Sequence, residues 1–157
     1  MKTYNNFMNI AVKEAFHGLK LNHGGPFGAV IVRNGKIIAK GHNKVLKTND
    51  PTAHAEITAI RKASVKLKKF NLSDCEVYSS GEPCPMCFAA IHWAKIEKLY
   101  YGCTRKDAAE IGFDDEFIYD VIKGVSKKQQ VKIIQTGRNK CLEPFKVWGK
   151  TKNKIRY

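Results

Sequence analysis

The chain has 157 residues, 43% hydrophobic and 27% charged, with 28 Lys and Arg against 14 Asp and Glu, a formal charge of +14. That length suits one domain, because chains split into separate cores only beyond ~250 residues, and the apolar fraction excludes a disordered chain. The longest pure apolar run, Met86 to Ile91, is far short of the ~20 residues a membrane-spanning helix needs.

In chain order, Phe7, Met8, Ala11, Val12, Ala15, Phe16 and Leu19 recur at three-four spacing, which predicts an amphipathic helix over Tyr4 to Leu19. Asn22-His23-Gly24-Gly25-Pro26 breaks it. Gly28 to Arg33 and Lys36 to Gly41 read as strands joined at Asn34-Gly35, the strongest short hairpin signal. Asn49-Asp50-Pro51-Thr52 ends a loop, and Ala53 to Leu67 has helical spacing through Ile57, Ile60, Ala63 and Leu67. Cys75 to Ser79 reads as a strand. Pro85 to Ala94 reads as a helix with Pro at its first position, where the missing donor costs little. Lys98 to Gly102 is expected to pair in parallel through a helical crossover. Phe117 to Ile122 reads as helix, Val131 to Gln135 as a fifth strand and Leu142 to Lys150 as a last helix. The expected class is α/β, a mixed sheet between helical layers, in a single domain over residues 1–157.

Two segments carry chemistry, Pro51-Thr52-Ala53-His54-Ala55-Glu56 and Glu82-Pro83-Cys84-Pro85-Met86-Cys87. A Cys-x-x-Cys pair at a helix start can bind one metal through both sulfurs, and the amides of that helix end stabilise thiolates. His54 offers a third ligand from another helix start. Three protein ligands leave a fourth position for water, whose pKa zinc lowers toward ~7. Glu56, two residues from His54, can sit beside that water without ligating the metal and carry protons. Read singly, the cysteine pair could be a redox pair, and Cys75, Cys103 or Cys141 could complete a four-ligand structural site. Read together, the segments reproduce the zinc deaminase signature, His-x-Glu followed by Pro-Cys-x-x-Cys.

On these residues the chain resembles the cytidine deaminase-like zinc deaminase superfamily in its purine-acting branch, and within it the small bacterial guanine deaminases. Further matching stretches are Gly24 to Ala29, Asn49 to Glu56, Trp93-Ala94, Gly112 to Tyr119 (with position 116 free) and the terminal Tyr157. The resemblance runs from Gly25 to Tyr157. It implies a three-layer α/β/α sandwich around a five-stranded mixed sheet, a zinc ion, and hydrolysis of the amine at carbon 2 of guanine to xanthine and ammonia. It also implies a homodimer that can exchange the C-terminal segment between subunits.

Seven residues are expected at the substrate beside Glu56. Asn43 can read a purine edge, since an amide both donates and accepts; Phe27 and Trp93 can stack on a base, at ~1–3 kcal/mol each. The resemblance adds Ala55, inside the His54–Glu56 segment, and Tyr157, which would cover the space a ribose needs. Asp107, Glu110, Asp114, Asp115, Glu116 and Asp120 form an acidic island holding six of the 14 acids. Phosphate would be repelled there, whereas guanine presents donors that a carboxylate accepts. An acidic stretch is also the usual make-up of a solvated helix face; the resemblance implies Asp115 as the residue that reads guanine and carries a proton, with Asp114 in support.

The charge keeps two other readings open. A tRNA wobble adenosine deaminase would bring a flipped base to the same pocket, with Lys66, Lys68 and Lys69 on the backbone. Only five of the 28 basic residues are Arg, however, and phosphate and base readers lean on Arg. A non-catalytic zinc or nucleic-acid-binding module is the third reading, and it has no use for Glu56. The polar, Asn-rich Met1 to Ile10 is expected to carry no secretory signal, and the five cysteines, an odd number, are expected as reduced thiols in the cytoplasm.

Overall fold

The computed structural model describes residues 2–126 and 131–155. Strand β1 (Gly28–Arg33) lies inside the sheet and is buried on both faces, as its unbroken Gly-Ala-Val-Ile-Val run requires. It pairs antiparallel with β2 (Lys36–His42) on one side and antiparallel with β3 (Glu76–Gly81) on the other. Strand β4 (Lys98–Cys103) runs parallel to β3, giving the order β2-β1-β3-β4. The β1–β2 turn holds Asn34 at φ 49° and Gly35 at φ 69°, the left-handed pair that a two-residue hairpin of matching twist needs.

Alternation along the central strands assigns the two helical layers. Val30, Val32 and Tyr78 pack with Phe7 and Ala11 of helix α1 (Lys2–Lys20). Ala29, Ile31 and Val77 pack on the opposite face with Ala55, Ala59 and Ala63 of α3 (Ala55–Leu67) and Ile91 of α4 (Pro85–Trp93). Each buried Val or Ile contributes roughly 1.5–3 kcal/mol, so the two clusters hold the sandwich from both sides. The short helix α2 (Val45–Thr48) lies between β2 and α3. Helices α5 (Arg105–Glu110), α6 (Glu116–Ile122) and α7 (Arg138–Lys150) follow β4.

Gly41 explains how α3 sits so close to the sheet. A Cβ at that position would stand 2.4 Å from the Ala55 carbonyl oxygen and 2.7 Å from the Ala59 nitrogen. The first turn of α3, and with it His54 and Glu56, therefore rests directly on the end of β2.

One expectation is corrected. The sheet has four strands among the described residues, not five, and residues 131–135 form no strand. Val131, Ile133 and Ile134 are 70%, 80% and 67% exposed. Their apolar, β-branched character suits a strand, but a strand also needs a covered face, and these side chains are uncovered here. Helix α7 likewise buries no residue, leaving Phe145, Val147 and Trp148 exposed.

Candidate active site

Two helix N-termini meet at one point above the C-terminal end of β3. His54 is the N-cap of α3 and Cys84 the N-cap of α4, both with extended backbone and neither spending its side chain on a cap hydrogen bond. Local chemistry prepares each entry. Asp50 Oδ1 accepts from the Thr52 backbone N–H at 2.8 Å and from Thr52 Oγ1 at 2.7 Å, and the Lys44 N–H donates to the Ala53 carbonyl at 2.8 Å. Pro85 opens α4 at the position where its fixed φ fits.

The side chains of His54, Cys84 and Cys87 converge, with their ligand atoms within 4.8 Å of one another. His54 Nδ1 is 3.5 Å from each sulfur. A tetrahedral metal with bonds of ~2.3 Å to sulfur and ~2.0 Å to nitrogen sets S···N separations of about 3.5 Å, so the donor set fits zinc. Charge points the same way. The hydrogen bond from Cys87, and then His54, bring the Cys84 thiol down to about 4, while that bond, burial and the neighbouring Glu56 push Cys87 up. One thiolate is all the pair carries unaided; a divalent cation lets both ionise. Cys75, Cys103 and Cys141 stand outside this cluster, and no other such group occurs among the described residues.

Glu56 is 5% exposed and accepts a 2.9 Å hydrogen bond from Ser79 Oγ of β3. Burial holds its carboxyl above the usual carboxylate range. Ser79 was not anticipated as a site residue. Its signal was available: it shares the core-facing parity of Val77, and a hydroxyl buried at such a position needs a polar partner.

Asn43, 4% exposed, follows β2. Its Oδ1 accepts from the Val45 N–H at 3.1 Å, and its backbone N–H donates to the Phe27 carbonyl at 3.0 Å. The amide oxygen is thus engaged within the protein, and what the side chain can offer a ligand is its Nδ2 donors. A Cβ on Gly24 would lie 2.0 Å from that oxygen, so glycine is needed where the loop passes Asn43. Phe27 meets Phe113 edge-on, ring centroids 5.0 Å apart. Phe27 also borders an apolar cavity of about 370 Å³ between α1 and α5, which His54, Cys84 and Cys87 do not line.

Asp115 stands at the start of α6 with no side-chain cap bond; burial first, then the negative charge of Cys84, raise its carboxyl. Asp114 Oδ1 accepts from the Glu116 N–H at 3.0 Å and shapes that same turn. Tyr119 fastens α6 to the metal loop by donating to the Pro83 carbonyl at 3.3 Å, with the Arg105 guanidinium 4.3 Å over its ring. Arg105 in turn gives its backbone N–H to Glu82 Oε2 at 3.0 Å. This bracing was not anticipated from the sequence.

Two expected pocket residues sit differently. The Ala55 side chain is fully buried in the sheet-facing core, so a contact from this residue to a ligand would fall to its backbone. Trp93 ends α4, at the far end of that helix from Cys84, and is 67% exposed. Tyr157 lies outside the described residues.

Residues 1–103 match the family model for the cytidine and deoxycytidylate deaminase zinc-binding region. Guanine deaminase of Bacillus subtilis is 48% identical over 151 residues, spanning 96% of this chain and 97% of its own. The crystal structure of guanine deaminase from Bacillus subtilis superposes with a TM-score of 0.92 at 47% identity, covering 98% of both chains. A guanine deaminase structure from Nitrosomonas europaea gives a TM-score of 0.66 at 34% identity, over 69% of this chain and 63% of that one. The tRNA-specific adenosine deaminase of Aquifex aeolicus is 41% identical over 100 residues, 64% of this chain and 66% of its own.

Proposed function

The chain belongs to the cytidine and deoxycytidylate deaminase zinc-binding family, and from that premise we propose that it is a zinc-dependent aminohydrolase that converts guanine and water to xanthine and ammonia. The observation that carries the reaction class is a three-donor metal set beside a buried, non-ligating carboxylate, Glu56. Likeness to guanine deaminase over nearly the full length supports the substrate.

His54, Cys84 and Cys87 would hold the zinc, which when bound would supply Lewis-acid activation of water for attack at carbon 2. Glu56, aimed by Ser79, takes one proton from the water and gives it to the adjacent ring nitrogen, then takes the other from the new hydroxyl at carbon 2 and gives it to the departing amine, leaving xanthine and ammonia. Asn43 donates from Nδ2 to an acceptor of the purine. Asp115 accepts from the ring N–H and the amine, with Asp114 fixing its turn. Phe27 backs the base, the Ala55 N–H lines the floor, and Trp93 and Tyr157 close the pocket within a dimer. The exposed apolar side chains of α7 and residues 131–134 support a dimer in which the C-terminal segment packs on the partner. Five free cysteines suit the reducing cytoplasm.

The charge of +14 and the likeness to a tRNA deaminase favour one second reading, adenosine-to-inosine conversion in tRNA. The test is ammonia release from guanine, guanosine, adenosine and cytidine by the zinc-loaded protein. Guanine is expected to be turned over far faster than the others. Inert guanine would remove this function. Metal analysis in parallel is expected to find about one zinc per chain, lost in Cys84→Ala.

A further inference from the structure

A polar chain links α1, the end of β2 and the loop that precedes β1. His42 is 5% exposed. Its Nε2 is 2.9 Å from His23 Nδ1 and its Nδ1 is 3.4 Å from Glu14 Oε2. Glu14 Oε1 pairs with Lys40 at 3.0 Å. The network fixes the tautomers: His42 donates from Nδ1 to the carboxylate and accepts at Nε2 from His23 Nδ1–H. Helix α1 presses on the buried ring, since a Cβ on Gly18 would stand 2.9 Å from His42 Cδ2.

The two histidines occupy matched places. His42 precedes Asn43, and His23 precedes Gly24, whose backbone passes against the Asn43 amide. The His23 carbonyl also accepts from the Leu46 and Lys47 N–H groups at 3.0 and 3.1 Å, tying it to the helix whose Val45 N–H holds Asn43 Oδ1. Loop 22–27 and the end of β2 thus meet twice around Asn43, once at Asn43 N–H to Phe27 O and once through the imidazole pair.

We propose that the Glu14–His42–His23 chain positions the substrate-binding face, clamping loop 22–27 against β2 so that Asn43 and Phe27 stand ready for the base. The role in catalysis rests on the reading that Asn43 and Phe27 meet guanine. The clamp acts on binding, because none of its members touches Glu56 or the metal ligands in this structure. It holds while either imidazole is neutral, since a neutral His23 can change tautomer and accept at Nδ1 from a protonated His42; with both rings protonated, Nε2–H and Nδ1–H face each other donor to donor. Both imidazoles are held below their ordinary value, His42 by burial against the opposing pull of Glu14, His23 by burial and then Lys47. The groups facing the pair are Glu14 and His17 of α1, Lys40 of β2, and Lys44 and Lys47 around α2, with Lys62 of α3 facing Lys44.

The test compares zinc-loaded wild type, His23→Ala and His23→Asn, the last keeping an N–H where Nδ1 stands. Hydrogen exchange of residues 22–27 and steady-state kinetics on guanine are measured from pH 5 to 8. His23→Ala is expected to exchange faster in that loop and to raise KM about 5- to 20-fold, with zinc content unchanged and kcat nearly so. His23→Asn is expected to restore both readouts. The wild-type KM is expected to rise as pH falls far enough to protonate both imidazoles, and that rise is expected to be absent from His23→Ala. Unchanged exchange and unchanged KM in a folded His23→Ala would overturn the proposal, as would a defect in kcat alone. If wild type leaves guanine untouched, the proposed function falls by itself, and the exchange of loop 22–27 still decides whether the clamp exists.

Discussion

Glu56 and Ser79 show how one hydrogen bond divides the labour in the site. In the proposed mechanism Glu56 moves the protons, and Ser79, which donates to it, keeps its carboxyl aimed in a buried setting. Glu56→Gln is expected to retain zinc and fold while losing about 10²–10⁴-fold in kcat, since an amide cannot shuttle a proton. Ser79→Ala leaves the carboxyl in place but less well aimed and removes a bond that favours its charged form, and a loss of about 10-fold in kcat with KM nearly constant is expected. Single-turnover rates beside zinc content check both, and a Ser79→Ala rate equal to wild type would show that Glu56 needs no orienting partner. The ligand set and Glu56 were legible in the sequence because their chemistry is local: two ligands three residues apart, and a His and Glu two apart. Ser79 was not, because it meets Glu56 across 23 residues of chain, through a strand and a helix that only the folded sheet brings together. Asn43 was half legible. Its residue type pointed to a purine edge, but only the bond from Val45 shows that its oxygen is already engaged.

At the scale of elements, position matters more than propensity. The Asn34-Gly35 hairpin and the central strands could be read directly, since turn chemistry and alternation are encoded residue by residue. A fifth strand could not, because its formation depends on an edge to pair with. The edge of β2 is itself occupied: Lys62 and Lys66 of α3 reach across to the carbonyls of Lys40 and Ile38 at 2.9 and 3.0 Å, blunting a row of acceptors open to another strand. The same pair of elements is joined at Gly41, where backbone meets backbone. Gly41→Ala is expected to cost about 1–3 kcal/mol in urea unfolding, because neither neighbour is a flexible side chain that can yield. Pushing α3 outward would also move His54 and Glu56, so activity is expected to fall with stability. Full stability in this variant would show that α3 has room to shift.

The whole molecule combines a metal site in a well-packed body with a C-terminal part that leaves its apolar side chains uncovered. Removing residues 131–157 is expected to leave the body folded and zinc-loaded but monomeric by light scattering, and to abolish guanine turnover through loss of the covering segment. A truncated protein that remains dimeric and active would place the interface elsewhere. The charge of +14 belongs to this scale too. It governs long-range attraction to polyanions and does not by itself create a base-reading pocket. Free guanine carries no phosphate, so its kcat/KM should vary little between 50 and 200 mM salt, whereas a tRNA reaction held by phosphate contacts would weaken steeply over that range. The most direct measurement is therefore ammonia release from guanine set against inosine formation at a tRNA wobble adenosine, with the same zinc-loaded enzyme at equal concentration and moderate salt. Rapid release from guanine with tRNA unmodified is the predicted result; inosine in tRNA with guanine inert would contradict it.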